Sequence, residues 1–536
     1  MGILSKVEDR PTPSQVYNWR VYVCSIVAGF AAVMIGYDSA FIGTTIALPS
    51  FKKEFNFAAL STTKLNLVSA NIVSCYQAGA FFGSLFAYIA AYFLGRVRGM
   101  AVFSAVFTIG AAMMLGANGD RGLGLIYGGR VLAGLGVGGC SSLAPIYISE
   151  ISPPAIRGRL VCMFELGWQI GGLVGFWINY GISETLPSNH EQWIIPFAIQ
   201  LIPSGLLLLG SFWLHETPRW LMSKGKRDKA IKNLCWIRNL IEDDIYIKEE
   251  IYAIDQNIEQ HMAGGGLGFW QPFKLLARSR NIQWRFFLGG AFFFWHNASG
   301  INAVNYYSPT IFKSIGIIGT NTSLFSTGLF GVVKTVGTII YLLFLIDQLG
   351  RRKLLMIGSV GGALCMYYVA GYIAIAKPAD HPTSSLPPSG VSAVFFFYLW
   401  TAFYTPTWNP TPWVINAEIF DQSVRTLAQA HAAAHNWLWN FLISRFTPQM
   451  FSSMGYGVYL FFASLMIWGA AFVFFLIPET KNVPLEAVDR LFQRGLPARR
   501  AHAVVWAELG QEEEALRAGI TAGLEKERTT AHVETV

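Results

Sequence analysis

The chain has 536 residues, 53% hydrophobic, 15% aromatic and 13% charged, with a mean hydropathy of +0.40. A soluble domain has too little interior for that much apolar surface, so the composition is that of a membrane protein. The net charge of +8 does not indicate nucleic acid, because the basic residues are dispersed and no Cys/His finger or recognition-helix pattern accompanies them.

Residues 1–18 are polar, without an early apolar core and small-residue cleavage site, so we expect no signal peptide and a cytoplasmic tail. A bilayer core of about 30 Å needs about 20 apolar residues per helix. On that ruler the first half offers spans at about 19–44, 70–94, 98–117, 121–146, 159–183 and 193–214. A polar segment, 215–285, follows. It carries Ile231, Leu234, Ile237, Ile241 and Ile245, then Ile247, Ile251, Ile254 and Ile258, at helical spacing, which predicts short surface helices against the bundle. Six more spans lie at about 286–312, 322–346, 354–376, 391–416, 426–447 and 456–477, and 478–536 forms a charged tail. The expected fold is an all-α membrane protein of twelve transmembrane helices, in six-helix halves at 19–214 and 286–477.

An internal repeat supports the halving. Glu150 to Arg157 recurs as Glu418 to Arg425 with the same spacing, Gly95-Arg96 as Gly350-Arg351, and Glu216-Thr217 as Glu479-Thr480. Two pseudo-symmetric halves around a midplane site are a common carrier architecture. Arg96, Arg98, Arg157, Arg159, Arg351, Arg352, Lys353 and Arg425 mark alternate short loops as cytoplasmic, along with both termini and 215–285. Lys52, Lys53 and Lys64, in the first loop, run against this rule.

Residues 292–309, FFFWHNASGINAVNYYSP, interrupt an apolar span with His296, Asn297, Asn302, Asn305 and paired tyrosines. Polar groups at membrane depth usually face a wet cavity, although single amides also serve as interhelical glue. The six cysteines lack CxxC or ligand spacing, and His431 and His435 share a helix face without a third ligand, so we expect neither metal nor cofactor. GxSxG, HExxH and phosphate-loop patterns are missing from suitable contexts, which argues against an enzyme.

The joint set of Gly36-Tyr37-Asp38, Arg130 with Gly134, Gly136 and Gly138, Glu216-Thr217-Pro218-Arg219-Trp220-Leu221, Gly300-Ile301-Asn302, Asp347 to Arg352 and Pro412-Trp413 with Glu418 resembles the sugar-porter branch of the major facilitator superfamily over most of the chain. EDRPTP at 8–13, YNWR at 17–20 and the run from Gly36 to Thr45 are similar to fungal quinate permeases. The resemblance implies a proton-coupled importer of quinate or a similar cyclic polyhydroxy acid, monomeric and in the plasma membrane, whose partners are the small substrate, protons and lipid. A hexose or pentose porter and a non-transporting nutrient sensor are the alternatives.

It also implies roles for residues. Asp38 with Arg130 would couple protons, or else form a static buried ion pair. Gln169, Asn302, Trp413 and Asn436 would contact substrate, together with His296 and Asn297, which stand where sugar porters usually carry two glutamines. Glu165 stands where a glutamine is usual, and is either a partnered or protonated site residue or a packing contact off the cavity. His296 is the first candidate cation for a carboxylate, and Arg130 the second unless it is committed to Asp38. Tyr306 and Tyr307 would close the outer side. Glu150, Arg157, Glu216, Arg219, Asp347, Arg351, Glu418, Arg425 and Glu479 would form ion pairs holding the halves together on the cytoplasmic side. Tyr92 replaces the aspartate usual after span two, which weakens that network in the first half.

Overall fold

The computed structural model of the chain describes residues 12–263, 268–345, 348–378, 380–381, 386–420, 422–481, 483, 488–492 and 496–511. Asp347, Gly264–Gly266 and the beginning of the EDRPTP run lie outside them. Six helices form the first half: Trp19–Ala47, Thr62–Phe93, Arg96–Leu115, Gly124–Ile151, Pro154–Thr185 and the pair His190–Ile199 and Leu201–Ser211. The second half holds a broken seventh span (Arg280–Ala298, Ile301–Ile315), an eighth from Thr320 to Leu345, Arg351–Ala376, a broken tenth (Pro388–Tyr404, Thr411–Glu418), Gln422–Met454 and Gly457–Leu476. The twelve-span reading therefore holds. The second span starts earlier than hydropathy alone predicts, because the Ser61 side chain accepts from the Lys64 amide and nucleates polar turns ahead of the apolar stretch.

Among the described residues, nine helices are long and apolar enough to cross a membrane, and they are spans one to six, eight, nine and twelve. The other three owe their deficit to identifiable residues. Span seven breaks at Ser299 and Gly300, span ten breaks where Pro406 and Pro410 deny it backbone donors, and span eleven carries His431, His435, Asn436 and Asn440. Large apolar side chains such as Phe82, Leu209, Phe212 and Trp468 remain exposed, giving the bundle a surface suited to hydrocarbon.

Each half has its own apolar core, and Tyr306, Tyr307, Leu324, Ala433 and Trp437 of the second half join the core of the first. Span one packs on the second helix of span seven, span two on span eleven and span five on span eight.

The repeat is visible in atoms. Glu216 accepts from the Arg96 and Val97 amides at 3.0 and 3.1 Å, while Arg96 pairs with Glu150 at 2.8 Å. Glu479 likewise accepts from the Arg351 and Arg352 amides at 2.9 and 3.0 Å, while Arg351 pairs with Glu418 at 2.8 Å. Each glutamate thus caps the positive end of a span. Gly95 and Gly350 precede those ends with φ of +93° and +79°, a conformation open to glycine.

Segment 215–285 forms four short helices: Pro218–Ser223, Arg227–Arg238, Ile245–Ala263 and Gln271–Arg278. Pro272 falls in the first turn of the last of these, where its missing N–H costs nothing. Arg238 is buried, holds Glu250 through two bonds of 2.9 and 2.6 Å, and donates to the Ile151 carbonyl at 2.6 Å. Arg20 donates to the Trp236 carbonyl at 2.8 Å and Asn18 to that of Ile237 at 2.9 Å. His215 stacks on Trp236 at 4.0 Å, and burial there lowers its pKa, which favours the neutral imidazole. The second of the four helices is therefore clamped to the start of span one and the end of span four. Arg238→Met is expected to destabilise this clamp by about 3 kcal/mol, since it removes both charged bonds to Glu250 and the donor to the Ile151 carbonyl; a clear fall in the thermal midpoint of the purified protein checks it. In the described tail, residues 498–511 are helical, and Ala501 and Val505 insert into the second-half core.

Candidate functional site

Two cavities lie in line along the axis between the halves. At the end opposite segment 215–285, a vestibule of about 710 Å³ is lined by the end of span one, the start of span two and the ends of spans seven, nine and eleven. Tyr306 and Tyr307 form part of its floor. Beneath them sits a small cavity of about 30 Å³, bounded by Glu165, Trp168, His296, Ile301, Asn302, Asn305, Lys334, Tyr404, Asn409, Trp413, Asn436 and Asn440. That space holds about one water, so the walls must part to admit a ring.

The break in span seven turns its amides toward this space. Asn305 Nδ2 donates to Asn302 Oδ1 at 3.5 Å, Asn302 Nδ2 donates to Asn297 Oδ1, and Asn297 Nδ2 donates to Asn436 Oδ1 at 3.3 Å. Lys334, midway along span eight, completes the chain by donating to Asn305 Oδ1 at 3.1 Å. Asn302 and Asn436 line the cavity, whereas Asn297, fully buried and also bonded to the Phe293 carbonyl at 2.7 Å, supports them from behind. Trp413 forms an aromatic wall, set edge to face against Phe293 with ring centres 4.5 Å apart.

His296 lines the cavity with its ring already engaged. Its Nδ1 lies 2.8 Å from the Trp408 carbonyl, which can only accept, so Nδ1 carries a proton, and the Tyr404 hydroxyl lies 3.3 Å from the ring. Glu165 Oε1 accepts from Gln169 at 2.8 Å and from Asn409 at 2.6 Å. Asn409 belongs to the second half, so Glu165 joins the halves at mid-depth. Gln169 holds Glu165 without itself bounding the cavity.

Asp38 and Arg130 form a fully buried ion pair linking spans one and four. Arg130 Nε also donates to the Ile72 carbonyl at 3.1 Å, and its guanidinium lies 4.4 Å over the Tyr76 ring. Asp38 Oδ2 and Arg130 Nη2 have no hydrogen-bond partner among the described residues. The pair lies inside the first half and bounds neither cavity.

Tyr306 accepts from Asn440 at 3.5 Å, and Tyr307 donates to the Ser444 carbonyl at 2.9 Å, which ties the vestibule floor to span eleven. On the opposite face, the Arg96–Glu150 and Arg351–Glu418 pairs each close within one half, where the sequence suggested charges bridging the halves. The reason is geometric: spans three and nine begin beside the ends of spans four and ten of their own bundles. Glu216 and Glu479 also act within their halves. Arg157 sits in the electrostatic field of Arg219, Arg238, Arg425 and Glu250, while Arg425 donates to the Phe420 carbonyl at 3.4 Å. Tyr92 lies under Lys224, whose Nζ is 3.4 Å from the ring centre, so a cation-π contact stands where the resemblance implied a carboxylate.

The sequence reading missed Lys334, Tyr404, Asn409, Asn440 and Trp168. Lys334 had a readable signal, a lone cation in the middle of an apolar span; the others depend on which helix faces meet.

Residues 24–492 match the family profile described as "Sugar (and other) transporter". The chain belongs to this family. It is 64% identical over 517 residues to a "Probable quinate permease" of Aspergillus fumigatus, covering 96% of this chain and 95% of that protein. It is also 64% identical over 521 residues to one of Aspergillus terreus, covering 97% and 95%. Among solved structures, the transporter is similar to the proton:xylose symporter XylE bound to 6-bromo-6-deoxy-D-glucose, with a TM-score of 0.72 and 26% identity over 88% of this chain and 99% of that one. An inward-open XylE from E. coli gives 0.69 and 25%, over 88% and 100%. The protein is thus a multi-pass membrane transporter of the major facilitator fold, of the sugar-porter type, and its relatives are permeases rather than enzymes.

Proposed function

We propose that the protein imports quinate, or a close cyclic polyhydroxy acid, across the plasma membrane by proton-coupled alternating access. The observation that carries this reading is the near full-length likeness, at 64% identity, to relatives named probable quinate permease. The site is compatible with such a cargo: the amides of Asn302 and Asn436 offer donors and acceptors for hydroxyls, and Trp413 offers an apolar wall for the ring. His296, Asn297 and Glu165, in place of the glutamines usual in sugar porters, favour a ligand other than a hexose.

In this reading 19–214 and 286–477 rock about the midplane, 1–18, 215–285 and 478–536 face the cytoplasm, and the vestibule faces outward. Asp38 takes up the proton with Arg130 as its partner. Glu165, Gln169, His296, Asn297, Asn302, Trp413 and Asn436 hold or support the substrate, and Tyr306 and Tyr307 close over it. The charged ends at Glu150, Arg157, Glu216, Arg219, Asp347, Arg351, Glu418, Arg425 and Glu479 set the inner gate, and the carrier works as a monomer.

Uptake of labelled quinate by cells bearing the protein at their surface is expected to collapse when the inward proton gradient is removed. Uptake of labelled glucose without quinate would replace this reading with a sugar porter. Uptake of neither, by surface-localised protein, would replace it with a sensor.

A further inference from the structure

We propose that Lys334 selects a carboxylate cargo, its ammonium anchoring the acid group while the amide chain reads the hydroxyls. The inference rests on the hydroxy-acid reading above and names the residue that decides it.

Lys334 lies fourteen residues beyond Thr320, the start of span eight, about 20 Å along the helix axis and so near mid-bilayer. It is 8% exposed and bounds the small cavity. An ammonium has three donors, and the one hydrogen bond that this ammonium makes among the described residues goes to Asn305 Oδ1. No described carboxylate lies within ion-pair distance of it; its other notable neighbour is the Phe330 ring, 5.5 Å from Nζ. A cation held at this depth with donors left over is costly unless a ligand completes its shell.

The surroundings assign that ligand a negative charge. Glu165 bounds the same cavity and its charge acts on Lys334, but its Oε1 is held by Asn409 and Gln169 and it forms no direct ion pair with the ammonium, so the remaining donors stay open to a cargo. The His296 ring is taken up by Trp408 and Tyr404. Of the amide chain that starts at Lys334, Asn305, Asn302 and Asn436 bound the cavity with Asn297 behind them, so an acid group at the ammonium places ring hydroxyls against Asn302 and Asn436.

The approach carries the same sign. The vestibule contains Lys52, Lys313 and Lys377 against the one aspartate Asp380. Such an excess in a low-dielectric funnel concentrates anions. It also gives a reason for the basic first loop, whose Lys52 contradicts the orientation rule and points into the vestibule.

The test is equilibrium binding to the purified full-length protein in nanodiscs, with quinate, its neutral methyl ester and glucose as probes, for wild type, Lys334→Gln, Lys334→Arg and Glu165→Gln. Wild type is expected to prefer quinate over the ester. Lys334→Gln should lose about 100-fold in quinate affinity, the scale of a buried charge-assisted contact, while ester binding stays within about threefold, which shows that the site is intact. Lys334→Arg should keep part of the acid preference. Glu165→Gln, which removes a competing negative charge without touching the lysine, should raise the quinate-to-ester ratio. An unchanged ratio in Lys334→Gln would overturn the proposal; if that variant does not fold, an unchanged or lowered ratio in Glu165→Gln would do so. Wild type that binds glucose and not quinate would overturn the hydroxy-acid reading itself, an outcome visible before any variant is made.

Discussion

Asp38→Asn is expected to leave exchange of quinate across the membrane within about threefold of wild type while abolishing its accumulation against a gradient. The carboxylate is fully buried, pairs with an equally buried Arg130, and keeps Oδ2 without a hydrogen-bond partner among the described residues. A buried ion pair is a finely balanced object: desolvation opposes both charges, and only their proximity offsets it. Separating the arginine, as span four shifts during rocking, would favour protonation of the acid. Asparagine preserves the shape and an acceptor for the guanidinium but cannot take up a proton. A one-unit pH gradient corresponds to about 1.4 kcal/mol, or about tenfold accumulation for one proton per substrate. Proteoliposomes with an imposed gradient should show that tenfold excess for wild type and none for the variant. Undiminished accumulation would remove Asp38 from the coupling mechanism.

Gly43→Val is expected to lower uptake by about 30-fold while increasing access to the vestibule. A Cβ at Gly43 would run into the Tyr306 carbonyl and reach 3.0 Å from its Cα, so spans one and seven can meet above the site only because this position has no side chain. The contact joins the two halves where Tyr306 and Tyr307 floor the vestibule. Overpacking of this kind costs about 2 kcal/mol, and since only the closed arrangement suffers it, the population of that arrangement falls about 30-fold. Cysteine placed at Thr62, on the vestibule wall, should react faster with a membrane-impermeant maleimide in the variant. Normal uptake together with unchanged labelling would show that this approach is not part of the gate.

Much of the architecture could be read from the sequence because it depends on one-dimensional properties. The lengths of apolar runs give twelve spans, and the paired motifs around Arg96 and Arg351 give the repeat. The cavity was less legible. His296, Asn302, Trp413 and Asn436 stood out as polar or aromatic breaks in apolar context, and all four bound it. Asn297, equally prominent as a letter, lies behind the wall, because a helix carries adjacent residues about 100° apart and the string does not say which faces inward. Lys334 was legible in principle, since a lone lysine in the middle of an apolar span is a strong signal of a functional site. Asn409 contacts Glu165 across 244 positions of chain, a relation that only the packing of the halves creates. The partners of Arg96 and Arg351 were anticipated as residues but not in arrangement, since spacing cannot distinguish a bond within a bundle from one between bundles.

The polar side chains of spans seven, ten and eleven bear on how the chain enters the membrane in the first place. A helix with a broken middle or a row of histidines and amides partitions poorly into lipid as an isolated segment. These three spans shelter one another's polar groups in the finished bundle, through links such as Asn297 to Asn436 and His296 to the Trp408 carbonyl. The first six spans can therefore insert one after another as they are synthesised, whereas the second half must retain its less apolar helices beside the translocation machinery until their partners arrive. Biogenesis of this half is a cooperative step, and the residues that equip it to hold a polar cargo are the same ones that make its insertion collective.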